Sequence, residues 1–595
     1  MNEKIMVWAD PAKKDISDLL KRELVQIASQ LELSQSLEDL DIFSLLEKPP
    51  ETKLGDFALP CFRFAKILRK KPLEIAKQLK VALEAQSCPW FERCELAGAF
   101  LNIFLNKKYF SEFTIGKVLN GKWFSQGTLS DSKNSKVMVE FSQPNTHKEF
   151  HIGHGRNVAL GDSLCRILSY NGYQVTPVNY IGDEGTHVAK CLLAVEEYAG
   201  EAEEPYTQWY GQRYQESHEK SSHLEGAEKK KYHDKISFIL AELESKSGKY
   251  YDMWLKSRKH CLDDFEQIYQ WLDIKFDHIF FESDVSESSQ KIVDEYIEKG
   301  LFSESDGAYG INMESDGLGF FMARKSDGTS LYITKDLALA KTKFQDFDID
   351  RSIYVVGSEQ KFHFKQLFKA LELMGFAQAK YCHHLSYAHV TLPEGKISSR
   401  KGNTVNLRHL ISLTNEEINK YLGKYEEKWE KSELDATAKK LAVAAIKYGM
   451  LSADPQKEIT FDSQAWTSFD GNSGPYLLYS YSRTQSILKE SAARGFLPDA
   501  ASTAALEHTL EQELIRHIYD FNNNVKQACD LYKPSVVAHY LFDLCKSFNR
   551  FYAQLSVLKA ESAELITART TLVAAFAKTL CQGLNLLGMV PPARM

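Results

Sequence analysis

His151-Ile152-Gly153-His154 sets two imidazoles three positions apart around a glycine. The segment falls where a strand-like run, Val137-Met138-Val139-Glu140-Phe141, gives way to a helical pattern. A strand end in a parallel sheet opens onto a ligand crevice. A helix starting there turns free N–H groups and the positive end of its dipole toward phosphate. Gly153 lets a flat base approach the backbone, and two imidazoles can donate to phosphoryl oxygens as charge develops. Taken alone, four residues of this kind also suit an ordinary turn.

A second stretch, Gly395-Lys396-Ile397-Ser398-Ser399-Arg400-Lys401-Gly402-Asn403, packs three cations and two hydroxyls between glycines. It follows a strand-like run ending at Val390. Such a loop can close on polyphosphate, although by itself it equally suits a solvated basic loop.

The elements that must position these groups are legible in outline. A helix over 154–171 is predicted, with Val158, Leu164, Ile167 and Leu168 on one side and Gly172 just past its end. Val175 to Tyr180 reads as the next strand, which makes a βαβ unit and a parallel sheet. Ile353-Tyr354-Val355-Val356 is a further strand, followed by a helix from Phe364 to Met374 closed by Gly375, and Asp327-Gly328 suggests a hairpin. Residues 195–270 are charged and helical and read as an insertion. Ahead of this block, helices are expected at Cys61–Leu68 and from Pro72 to Leu83, and a strand at Ala99–Leu105. A Ser-rich linker follows at 127–136. From about residue 435 the pattern is wholly helical. One apolar stripe runs Ile515, Ile518, Phe521, Val525, Ala528, a second runs Val537, Leu541, Leu544, Phe548, Phe551, Leu555, and a third starts at Val573. Three stripes argue for a bundle.

Both chemical motifs, in this order, resemble class I aminoacyl-tRNA synthetases. The context narrows the resemblance to the arginyl-tRNA synthetase family. It is carried by Val139 to Asn145, Lys148, His151 to Asn157, Asn179 to Thr186, Tyr332 to Leu337, Val356 to Gln360 and Gly471 to Leu477, and by Leu54-Gly55-Asp56-Phe57-Ala58 near the start. It implies an α/β, Rossmann-like catalytic domain (136–415, with the insertion), an α+β N-terminal tRNA-contacting domain (1–125) and an all-α anticodon-binding bundle (416–595). It implies the attack of arginine's carboxylate on ATP, with Mg²⁺ travelling on the nucleotide, followed by transfer to the terminal ribose of arginine tRNA. His151, His154, Lys148 and Lys396 would be catalytic, with Gly153, Ser398, Ser399, Arg400 and Lys401 also on ATP. Two departures stand out. Ser399 replaces a lysine usual in the loop, and Lys148 fits the place of a compensating lysine. Glu184 stands where a tryptophan is common.

A guanidinium wants carboxylates in fork geometry with an aromatic or hydroxyl beside them. By motif match, Asp336 and Glu282 would take it, Tyr332 would lie alongside, and Asn145 and Gln360 would hold the α-amino and carboxylate end. Lysine lacks the fork, so no editing domain is expected. RNA loops are read by stacking, which makes Tyr476, Tyr479, Tyr481, Phe551, Tyr552 and Met595 candidate platforms. Arg69, Lys70 and Lys71 are candidate phosphate contacts.

Composition excludes less than the motifs assert. The chain has 595 residues, 80 acidic against 73 basic, for a net charge of -7. That excludes a uniformly basic chromatin-type protein but not a local basic strip. No apolar run reaches the ~18 residues of a membrane span, and no signal or transit segment is evident. Ten scattered cysteines without a CxxC pair point to a reduced, cytoplasmic setting, with no bound metal. A monomer is expected. A cysteinyl-type enzyme is disfavoured by the lack of a zinc-ligand set. A catalytically dead tRNA-binding paralogue is disfavoured because His151, His154, Lys396, Asp336 and Gln360 all stand.

Overall fold

The computed structural model describes residues 10–30, 40–124, 135–198, 200–325, 332–392, 406–592, 594 and 595. The 395–403 loop, the Asp327-Gly328 turn and nearly all of the 127–136 linker lie outside the described residues.

The N-terminal unit opens with α1 (Pro11–Ser29), whose first turn is capped by the Asp10 side chain. It continues through β1 (Phe57–Pro60), α2 (Pro72–Ala85), β2 (Phe91–Ala97), β3 (Phe100–Leu105) and α3 (Lys107–Leu119). The strands form an antiparallel sheet in the order β1-β3-β2. Cys61–Leu68 is not one helix as expected. It is a 3₁₀ turn followed by a single α turn, closed by Arg69 in the left-handed region at φ 49°.

The central unit runs β4 (Lys136–Glu140), α4 (Ile152–Tyr170), β5 (Gln174–Ile181), α5 (Thr186–Glu197), α6 (Tyr206–His223), α7 (Gly226–Glu244), α8 (Lys249–Leu272), β6 (His278–Phe281) and α9 (Glu282–Glu298). A small antiparallel sheet of β7 (Ser303–Ser305), β8 (Ala308–Asn312) and β9 (Phe320–Arg324) follows, then α10 (Tyr332–Asp346), β10 (Arg351–Gly357), α11 (Lys361–Leu373) and β11 (Cys382–Tyr387). The main sheet is parallel throughout, in the order β11-β10-β4-β5-β6. β5 and β6 are neighbours, so the expected insertion lies within one crossover, carried by α6, α7 and α8. From β4 the chain works outward first on one side and then on the other. The switch point between β4 and β10 is where a doubly wound sheet opens its crevice, and the Phe141–Phe150 segment leaves β4 there. Gly172, at φ 89°, follows α4 directly and turns the chain back into β5.

The C-terminal part is built mainly of α12 (Leu407–Leu422), α13 (Lys431–Leu451), α14 (Gly474–Ala493), α15 (Thr509–Tyr519), α16 (Phe521–Leu531), α17 (Pro534–Gln554) and α18 (Ala563–Leu586), with a short helical turn at Ser463–Thr467. Two corrections apply. The stripe from Ile515 to Ala528 is shared by α15 and α16, which meet at Asp520. A two-residue strand, Ile459–Thr460, interrupts the helical run and pairs with Val390–Thr391. The bundle packs on the N-terminal unit through a polar lock. The Tyr519 hydroxyl accepts from the Ala12 N–H at 2.9 Å and donates to Asp10 at 2.7 Å, while Arg516 pairs with Asp56 of the Leu54–Ala58 motif. A buried pair, Lys447 to Asp162 at 3.0 Å, ties α13 to α4. Among the described residues, no helix is long and apolar enough to cross a membrane.

Candidate active site

The segment between β4 and α4 carries three non-glycine residues at positive φ: Ser142 (81°), Gln143 (48°) and His147 (62°). Such conformations persist only where surroundings impose them. Here Asn157 of α4 accepts from the Ser142 N–H at 2.6 Å and donates to Gln143 Oε1 and to the Val355 carbonyl. Asn179 of β5 accepts from the Gln143 N–H at 3.0 Å. The buried His147 ring bridges Thr146 Oγ1 at 2.9 Å and Ser257 Oγ of α8 at 2.8 Å. The crossover helices thus hold the residue next to Lys148.

His151 is the N-cap of α4, and the two histidines lock each other. The Gly153 N–H donates to His151 Nδ1 at 3.1 Å, and the His151 N–H donates to His154 Nδ1 at 3.2 Å. A nitrogen that accepts carries no proton, so both rings are held as the Nε2–H tautomer. Burial, with Lys148 nearby, lowers the His151 pKa to about 4 and that of His154 well below its ordinary value. Both are neutral donors. A Cβ at Gly153 would sit 2.9 Å from His151 Cε1, so glycine is required for this packing. Arg156 binds the Ala388 carbonyl at 2.5 Å, and Asn406 forms a bridge with His151. Both flanks of the 393–405 stretch are therefore fastened around the start of α4.

An acidic pocket adjoins this turn. Glu282 begins α9 at the end of β6, and Asp336 lies one turn into α10. Burial, with Asp336, Glu184 and Asp183 adding to it against Lys335, raises the Glu282 carboxyl to about 7. Burial lowers the Lys148 ammonium, with Glu282 opposing, and Lys148 in turn acts on both His151 and His154. Lys148 is therefore near enough to feel Glu282 and to act on both histidines. Asn145 bridges to Gly182, where a Cβ would lie 2.4 Å from Asn145 Oδ1 and 3.3 Å from Glu282 Oε1. Asp336 accepts from His363 at 2.7 Å. Asp183 is fully buried, takes Arg258 at 2.7 Å, and accepts from both Ser283 donors, which fixes the residue beside Glu282. Gln360 caps α11 at the mouth of β10.

This arrangement has known counterparts. A family model described as tRNA synthetases class I (R), catalytic domain, matches residues 116–463. An arginyl tRNA synthetase N terminal domain model matches residues 14–105, and a DALR anticodon binding domain model matches 477–595. The arginine–tRNA ligase of Bdellovibrio bacteriovorus is 38% identical over 567 residues, covering 94% of this chain and 96% of that protein. The chain belongs to the arginyl-tRNA synthetase family. The arginine–tRNA ligase of Clostridium kluyveri is 32% identical, covering 94% of this chain and 98% of that protein. The solved arginyl-tRNA synthetase of Thermus thermophilus superposes with a TM-score of 0.77 at 26% identity, covering 97% of this chain and 99% of that one.

Within this arginyl-tRNA synthetase fold, the expected site residues do not all meet. Lys148, His151, Gly153 and His154 share one turn, and Asn145, Glu282 and Asp336 share the neighbouring pocket. Lys396, Ser398, Ser399, Arg400 and Lys401 fall outside the described residues. Of Tyr332 only its place at the start of α10 is described. Phe551 is a correction. It is fully buried in the bundle core beside Phe548 and cannot stack on a base. Met595 packs against the same core. Tyr476 accepts from Asn549 at 2.8 Å, Tyr479 accepts from Arg483 at 2.8 Å, and the Arg483 guanidinium lies over the Tyr479 and Tyr552 rings. Arg69 and Lys71 are exposed, while Lys70 donates to Gln78. Sequence reasoning missed the supporting residues Asn157, Asn179 and His147, and the Tyr180 phenol, which burial, with Asp336 and Glu282 adding to it, keeps protonated. Asn157 and Asn179 lie inside the quoted motifs. Their signal is a polar residue set within or beside an apolar strand or helix pattern.

Proposed function

We propose that this member of the family activates arginine with ATP and transfers it to arginine tRNA, and that its residues divide the work as follows. Glu282 and Asp336 take the guanidinium, with Tyr332 alongside. Asn145 and Gln360 hold the amino-acid end so that its carboxylate faces the start of α4. There the attacking oxygen meets the α-phosphorus of ATP. His151 and His154 offer neutral Nε2–H donors to the phosphoryl oxygens, and Lys148 places a positive charge beside them. Pyrophosphate leaves, and the terminal ribose of the tRNA then attacks the adenylate. Donors aimed at developing charge in a desolvated site are the largest usual source of acceleration. Magnesium comes with the nucleotide as substrate, and Lys396 with its neighbours closes on the phosphates.

The supporting observation is the locked His151–His154 pair at the start of α4, with Lys148 acting on both rings and itself under the influence of Glu282. Residues 1–125, 136–415 and 416–595 act as tRNA-contacting, catalytic and anticodon-binding parts. Tyr476, Tyr479 and Tyr552 face the anticodon loop, and Arg69 to Lys71 face tRNA phosphates. The enzyme is read as a monomer. The free cysteines, mostly buried, fit a cytoplasmic setting. The test is ATP-dependent attachment of labelled arginine to tRNA. Charging of an arginine isoacceptor supports the reading, and no charging of any isoacceptor overturns it.

A further inference from the structure

The mechanism above gives Glu184 no task. It lies in the turn after β5 and is partly buried, with its side chain 24% exposed. Its Oε1 is paired with the ammonium of Lys335 and also accepts from Ser286 Oγ. Ser286 is one turn along α9 from Glu282, and Lys335 immediately precedes Asp336 on α10. Glu184 thus joins the two helices that carry the guanidinium-binding carboxylates.

The position of Lys335 makes this more than a brace. Its ammonium stands 3.6 Å from Glu282 Oε2. A charge-assisted hydrogen bond closes to roughly 2.7–2.9 Å, so Lys335 is close to Glu282 without having engaged it. A lysine is a flexible point charge with three donors. Released from Glu184, it has only a short distance to travel to the largely buried Glu282 carboxylate. There it would occupy the oxygens that a substrate guanidinium needs.

We infer that Glu184 is a positioning residue that captures the Lys335 ammonium and so keeps Glu282 open for the substrate's guanidinium. The inference rests on the reading of Glu282 as an arginine-binding carboxylate. It converts an internal competitor into a neighbour that balances part of the pocket's negative charge.

The test is aminoacylation kinetics at saturating ATP and tRNA, with arginine varied, on the full chain. Glu184→Gln should raise the KM for arginine by about tenfold and leave kcat within about twofold. Glu184→Asp should fall between. The double variant Glu184→Gln/Lys335→Met should return KM to within about threefold of the parent, because the competitor is gone. A brace without a tethering role would not be rescued in this way. An unchanged KM in Glu184→Gln, or a raised KM that the double variant does not restore, overturns the proposal. Glu282→Gln separates the two readings. It should raise KM by about 30-fold or more. If it does not, the pocket assignment fails and the tether with it. If it does while Glu184→Gln is unaffected, only the tether falls.

Discussion

The imidazole of His151 stacks on that of His154, ring centroids 3.8 Å apart and planes 26° apart. The stacking and the two backbone N–H bonds to Nδ1 leave each ring one free function, an Nε2–H. The turn is therefore a preset pair of neutral donors, with the dipole of α4 behind them.

Removing one donor should be costly. His154→Ala should lower tRNA-dependent pyrophosphate exchange by about 100-fold or more, measured at saturating ATP and arginine. Since burial holds His151 at about 4, the rate should show no histidine titration between pH 6 and 8. A limb in that range that disappears in His151→Gln would contradict the neutral-donor assignment.

Arginine affinity should depend on pH through Glu282. Its carboxyl, raised to about 7 by burial and neighbouring acids, is protonated below that value and then offers no charge to a guanidinium. The KM for arginine should rise as pH falls below 7, approaching about tenfold per unit. Above 7 it should be flat. In Glu282→Gln the dependence should vanish. Arginine binding should release a proton near neutrality, which calorimetry in buffers of different ionisation enthalpy would register.

Gly182 is a test of close packing. A methyl group there would meet Asn145 Oδ1 at 2.4 Å and Glu282 Oε1 at 3.3 Å. Gly182→Ala should raise the KM for arginine by about tenfold or more. The KM for tRNA should stay close to the parent value, because the displaced groups are those of the proposed amino-acid pocket.

Two aromatic residues on α17 should separate cleanly. Phe551→Ala empties a core position and should cost about 3–5 kcal/mol of stability, read from denaturant unfolding. Tyr552 is 39% exposed, with Phe548 stacked near it and the Arg483 guanidinium over its ring, so that a base would meet the ring and the cation together. Tyr552→Ala should raise the KM for tRNA by about 5- to 100-fold without changing the melting temperature.

The parallel sheet and α4 were legible because each is signalled locally, by a buried apolar run, a 3.6-residue stripe and a glycine at the close. The burial of Phe551 was legible too, since it sits on the stripe with Phe548 and Leu555. The stacking reading weighed residue type over spacing. The backbone of Ser142 and Gln143 was not legible. Their left-handed conformations are imposed by Asn157 and Asn179, side chains that reach them only after the sheet has formed. Nor was the Glu184–Lys335 pair, whose partners are 151 residues apart and meet through two separate helix starts. The placement of residues 195–270 inside the β5–β6 crossover depended on strand order, which composition does not carry.

The lock between Asp10, Ala12 and Tyr519 has a consequence for the order in which the molecule is made. The Asp10 and Tyr519 side chains are separated by 509 positions. While the ribosome is still adding the central sheet, α1 and the antiparallel strands have emerged, but the buried carboxylate of Asp10 has no phenol to receive. The N-terminal unit can acquire its local structure early. Its final seat waits for α15, so newly made chains should pass through a stage in which the first hundred or so residues are folded yet undocked and open to a protease.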